Sequence, residues 1–162
     1  VAEAGGAPGD VIGVAAAQEE VGLNGARTIA HRLRPDVAVA VDVTHATDAP
    51  GIDENENGSH HFGTGPVISR GTTLHPLVTE TLIEAAEADD IAYTLEGTTR
   101  GTGTDADAIF LSRDGVPTGL VSIPVRYMHS PVETVQLSDV EDSARLLAAF
   151  AMRLSADMTF VR

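Results

Sequence analysis

Glu19 and Glu20 stand side by side just after the apolar run at residues 11–17. Asp42 closes a second apolar run, and His129 lies in the stretch that follows a third. Carboxylate oxygens with one imidazole nitrogen suit a borderline divalent ion such as zinc, cobalt or manganese. Neighbouring residues at a strand end point to opposite sides, so the two glutamates cannot both reach the same ion. One of them then stays free beside a bound water and is placed to take its proton. Each residue also has a plainer reading. Adjacent glutamates after a strand suit a solvated turn, a lone Asp suits a helix cap, and His129 before Ser130-Pro131 suits a loop.

The elements that must position these residues are read from periodicity. Residues 11–17, 37–41, 66–69, 91–95 and 116–123 read as strands, the first two apolar throughout. Residues 21–33, 75–88 and 138–154 read as helices with apolar positions three to four apart. Thr104 is expected to cap a further helix, with Asp105 and Asp107 favourable near its positive end. Ser138 with Glu141 has the spacing of a capping box. Strands that alternate with helices predict an α/β fold, a three-layer αβα sandwich with a largely parallel sheet. Ligands of such sheets collect at the carboxyl ends of the strands. Glu19, Glu20, Asp42, Glu96, the 97–103 glycine-rich loop and the 124–133 segment are all expected on that edge.

The segment 44–65 is a long polar loop, and loops of that length are uncommon unless functional or mobile. His60-His61 within it reads as part of a solvated loop, given the flanking Asn, Gly and Glu. His31 sits near a helix end, and His75 before Pro76 starts a helix. Residues 101–106 fit the loose glycine pattern of dinucleotide sites. Asp105 and Asp107 in the first turn would repel a pyrophosphate, so that reading is set aside.

Composition narrows the classes further. The 162 residues and 43% hydrophobic content suit one globular domain. Cysteine is absent, which excludes disulfides and thiolate sites. The net charge is −14, and all 10 basic residues are Arg. Such a surface repels nucleic acid and anionic membranes, so neither is expected as a partner. Acidic surface without Lys fits a salt-loving source, and a GC-rich genome gives the same Lys depletion. No apolar run approaches the ~20 residues that span a bilayer.

The ordered set Gln18-Glu19-Glu20-Val21-Gly22 with Gly25-Ala26, Asp42-Val43-Thr44 with Pro50-Gly51, Gly63-x-Gly65-Pro66, Gly103-Thr104-Asp105-Ala106 and Arg126-Tyr127-x-His129-Ser130-Pro131-x-Glu133 resembles the M42 metallo-aminopeptidases. This is the tetrahedral and glutamyl aminopeptidase group, some of whose members carry an endoglucanase label. The resemblance covers almost the whole chain. It implies a zinc-peptidase-like fold and release of N-terminal residues from peptides by a water activated between two divalent metals, zinc or cobalt before manganese. It implies Glu19 as general base, Glu20 and His129 as ligands of one metal, and Asp42 as a ligand of the second. The 101–106 loop and the 126–129 segment become walls of the substrate cleft. A cytoplasmic homo-oligomer acting on peptides is also implied. The family's His-x-Asp motif, its bridging Asp and its smaller inserted domain have no counterpart here. Residues 1–162 are therefore expected to be one partial catalytic domain, truncated at its N-terminus, that binds metal weakly or not at all by itself and is inactive alone. The alternatives kept open are an endoglucanase-type glycoside hydrolase and a non-catalytic structural or interaction module.

Overall fold

The computed structural model describes residue 1 and residues 5–160. In chain order the elements are α1 (Asn24–Leu33), β1 (Ala38–His45), α2 (Glu54–Asn57), β2 (Val67–Gly71), α3 (Pro76–Ala88), β3 (Thr94–Thr98), α4 (Ala106–Ile109), β4 (Thr118–Arg126), β5 (Thr134–Val135) and α5 (Leu137–Arg153). The sheet order is β1-β4-β2-β3, with β5 paired to β4.

Alternation along the strands sorts the core into two faces. Ile68 and Val121 point to one face, where Val78, Leu82, Leu146 and Phe150 of α3 and α5 cover them. Ala40 and Leu120 point to the other and meet Leu74, Ala106 and Ile109 around α4. Helices therefore flank the sheet on both sides, as the αβα reading expects. The first layer is much the larger. α3 begins on Pro76, whose fixed φ suits a first helical position, and buries Val78, Leu82, Ile83 and Ala86 at helical spacing.

The long registers are parallel: residues 38–45 with 118–125, and 67–71 with 94–98. Between them β2 meets β4 antiparallel, through Val67 opposite Ser122 and Ile68 opposite Val121. Strands β1 and β4 therefore end on one edge of the sheet, and β2 and β3 on the other. This corrects the expectation of one shared carboxyl edge. The loop after β3 leaves from the far edge and crosses back, so that Thr102, Gly103 and Thr104 still reach Asp42.

Residues 11–17 form no strand. Val11 and Ile12 are 59% and 61% exposed. An apolar run becomes a strand only when a neighbour supplies ladder hydrogen bonds, and among the described residues none pairs with it. The loop 44–65 is more ordered than its composition suggests. Asp53 caps α2 by accepting the Asn55 N–H at 2.9 Å. His60 is wholly buried, which corrects the solvated-loop reading. Its Nδ1 lies 2.7 Å from Thr94 Oγ1 and its N–H donates to Thr47 Oγ1 at 2.9 Å. Burial pushes its pKa down, the direction that favours the neutral ring. His61 is exposed and pairs with Glu54.

The expected capping box at α5 is not formed. The helix begins at Leu137 after Gln136, without a side-chain cap. Ser138 lies inside it. At α4 the expectation holds in substance: Asp105 is the boundary residue, and Thr104 Oγ1 accepts the Ala106 N–H at 3.2 Å.

Candidate metal and catalytic site

A cleft of about 230 Å³ opens where β1 and β4 end, with Glu19, Glu20, Asp42, Thr104 and His129 among its lining. Four separate stretches deliver these side chains. Gln18 takes a left-handed backbone, φ 60°, immediately before the glutamate pair. A tight turn follows, in which Gly22 and Leu23 N–H donate to Glu19 O at 3.1 and 3.0 Å. Gly25 then packs against the incoming chain: a Cβ there would sit 2.4 Å from Ala17 N. Only glycine allows α1 to start so close to residues 16 and 17. The glutamates are thus fixed by backbone contacts rather than by a strand.

Asp42 comes from the fifth position of β1, and its carboxylate accepts the Val43 N–H at 2.8 Å. His129 comes from the turn joining β4 to β5. Tyr127 and His129 are both left-handed there, with φ 58° and 59°. Such conformations cost about 1–3 kcal/mol each for non-glycine residues and persist where surrounding structure enforces them.

The outcome is convergence. His129 Nε2 lies 3.3 Å from Glu20 Oε1, across a sequence separation of more than a hundred residues. Two ligands each ~2.0–2.1 Å from a tetrahedral zinc lie about 3.3 Å apart, so this pair fits a shared cation. Asp42 and Glu19 line the same cleft. Among the described residues no group of three His, Asp or Glu side chains forms a ready metal cage.

The electrostatics point the same way. Burial raises the Glu19 pKa, and Asp42, Glu20 and Asp105 raise it further against a smaller opposing effect of His129. Burial likewise raises Asp42; the Val43 N–H opposes this, Glu20 adds to it and His129 opposes it. Asp105 is raised by burial and then by Asp42. Carboxylates crowded in a partly desolvated cleft favour protons or cations.

Sequence reading missed the supports. Asp107 accepts the Thr102 and Gly103 N–H groups and the Thr102 hydroxyl at 2.8–2.9 Å, which shapes the loop lining the cleft. Those bonds hold its carboxyl below the usual range despite burial. Asp48 pairs with Arg126 from 78 residues away, a partnership with no local signal. The long polar loop did single out the segment in which Asp48 lies.

A family model for M42 glutamyl aminopeptidase matches residues 3–146. A lysyl aminopeptidase of Pyrococcus furiosus is 37% identical over 147 residues, covering 90% of this chain and 41% of that protein. A solved aminopeptidase of the archaeon Desulfurococcus kamchatkensis is 44% identical with a TM-score of 0.78, over 86% of this chain and 40% of that one. A TET aminopeptidase from a marine-sediment thaumarchaeon is 34% identical with a TM-score of 0.87, over 96% and 44%. The fold thus falls in the class of the α/β aminopeptidases. Within that class, the chain belongs to the M42 family. It spans about two fifths of the length of the curated relatives it matches.

Proposed function

We propose that this chain is the part of a metal-dependent aminopeptidase that carries its general base and three of its metal donors. The observation that carries the reading is the 3.3 Å approach of His129 Nε2 to Glu20 Oε1 beside Glu19. Glu20 and His129 would hold one divalent ion and Asp42 a second. Zinc or cobalt suits the mixed nitrogen and oxygen donors best. Such ions supply Lewis acidity, easing removal of a water proton and polarising a carbonyl.

The chain's own residues do the rest. Glu19 stays outside the donor pair, and its raised pKa brings it closer to working pH as a base. Its carboxylate takes the water proton on one oxygen and hands it to the departing amine. The acidic cleft attracts the cationic amino end of a peptide, which brings the first peptide bond beside Glu19. Thr102, Gly103 and Thr104 form one wall against it. A site of two carboxylates alone, as in a glycoside hydrolase, leaves His129 without a task.

The remaining donors belong to polypeptide outside residues 1–162, a reading supported by the two-fifths coverage of relatives. Homo-oligomerisation and a cytoplasmic location, both implied by the resemblance, belong to the same proposal. No helix among the described residues is long and apolar enough to cross a membrane.

The test is an assay of the full-length protein with unblocked and N-acetylated peptides. Stepwise release of N-terminal residues is expected from the unblocked peptides only. A chelator should abolish it, and zinc or cobalt restore it. Chelator-insensitive hydrolysis of cellulose oligomers, with no peptide turnover, would overturn the reading.

A further inference from the structure

We propose that Glu133 and the Asp48–Arg126 pair are positioning residues that hold the 127–133 turn so that the His129 imidazole faces Glu20. The proposal rests on the metal-site reading above. The turn closes a short hairpin in which Val125 lies opposite Val135 and Arg126 opposite Thr134. His129 lies beyond that ladder and has no strand partner to fix it. Two left-handed residues, Tyr127 and His129, bend the chain there. Something must hold that bend, because a non-glycine residue left to itself avoids it.

Two devices hold it. At the far end, the His129 N–H donates to Glu133 Oε2 at 2.9 Å. The Glu133 N–H donates to Ser130 O at 3.2 Å, and the Ser130 N–H to Tyr127 O at 3.1 Å. One carboxylate thus closes the turn onto the residue that carries the ligand. At the base, Arg126 donates from Nε to Asp48 Oδ1 at 3.0 Å and from Nη2 to Asp48 Oδ2 at 2.6 Å. Its guanidinium also lies over the Phe62 ring, 4.1 Å from the centroid. Asp48 Oδ2 accepts the Phe62 N–H at 3.1 Å as well. A two-pronged guanidinium–carboxylate pair fixes direction as well as distance.

The placement gives the pair its role. Asp48 follows β1, the strand that carries Asp42, and Arg126 ends β4, three residues before His129. The salt bridge therefore ties together the two elements that deliver donors for different ions. Glu133, Asp48 and Arg126 are absent from the cleft lining. They act through His129 rather than on a substrate.

The experiment uses the isotope-labelled 162-residue chain and zinc chloride, with two NMR readouts. The first is the backbone carbon shifts of His129, which report its left-handed conformation. The second is the zinc concentration that moves its imidazole resonances. Glu133→Ala is expected to abolish the left-handed signature and raise that concentration at least fivefold. Glu133→Gln, which keeps an acceptor oxygen, is expected to recover both. Arg126→Lys, which loses the two-pronged geometry, should behave as Glu133→Ala does. Unchanged His129 shifts and zinc response in folded Glu133→Ala and Arg126→Lys would overturn the proposal. Should Arg126→Lys fail to fold, the two Glu133 variants decide it. A wild-type imidazole that ignores zinc in residues 1–162 alone agrees with the weak binding expected of the partial site, and the backbone shifts then decide positioning; silence of the same imidazole in the full-length protein would instead overturn the metal-site reading.

Discussion

Glu19→Gln in the full-length enzyme is expected to lower turnover by ~10²–10⁴, the usual range for loss of general acid–base catalysis. Metal content should stay unchanged. The two effects separate because it is Glu20, not Glu19, that meets His129. Glutamine keeps the size and one acceptor oxygen but cannot take a proton. The environment makes the loss large. Burial and three neighbouring carboxylates raise the Glu19 pKa, the direction that suits a base at this position. Substrate affinity should change less than turnover, since the proton is in flight only in the transition state. Near-normal turnover with full metal content would reject the base assignment.

The second large effect is on stability. Asp139→Ala is expected to destabilise the fold by ~3–6 kcal/mol, from two lost hydrogen bonds to a carboxyl group at about 1.5–3 kcal/mol each. Asp139 is fully buried in the first turn of α5. Its Oδ2 accepts the Gly63 N–H and its Oδ1 the Gly65 N–H, both at 3.0 Å. The carboxylate thus pins the turn that feeds β2 to the helix that covers the core. That turn has little freedom of its own. Gly65 has φ 83°, and a Cβ there would meet Ala92 O at 2.0 Å. Alanine at 139 strands two N–H groups in the interior with no acceptor to replace the carboxylate. Urea denaturation with an unchanged m-value measures the loss directly. A change below about 1 kcal/mol, within the range of ordinary surface substitutions, would show that the turn is held by other contacts.

Much of the scaffold was legible because local pattern and tertiary demand agree. Leu82, Ile83 and Ala86 mark one face of α3, and that face is the one buried. The strand at 116–123 is mostly apolar, with only Thr118 and Ser122 polar and both buried, because β4 lies mid-sheet, with β1 on one side and β2 on the other. Residues 11–17 carry the same signal, yet stay outside the sheet. Hydrophobicity says that a segment is fit for burial, but only a partner makes it a strand. The reversal between β4 and β2 left no mark on the sequence either, since strand direction is set by how crossovers route the chain.

The site was legible in part. Residue chemistry picked Glu19, Glu20, Asp42 and His129, but local pattern could not choose between a metal site and solvated turns. The order of the motifs pointed to the choice, and the structure supplies the distance between Glu20 and His129. The supports were illegible for a physical reason. Asp48 meets Arg126, and Asp139 meets Gly63 and Gly65, across more than seventy residues. His60 is another such case. Polar neighbours in sequence suggested solvent, while the fold turns the ring inward onto Thr94.

The central claim is that Glu20 and His129 share one cation. Anomalous diffraction from zinc-soaked crystals of the full-length protein tests it most directly. The expected map has a zinc peak between Glu20 Oε1 and His129 Nε2, ~2.0–2.2 Å from each. Zinc at saturating concentration bound elsewhere, such as at the exposed His61–Glu54 pair, with none between Glu20 and His129, would contradict it.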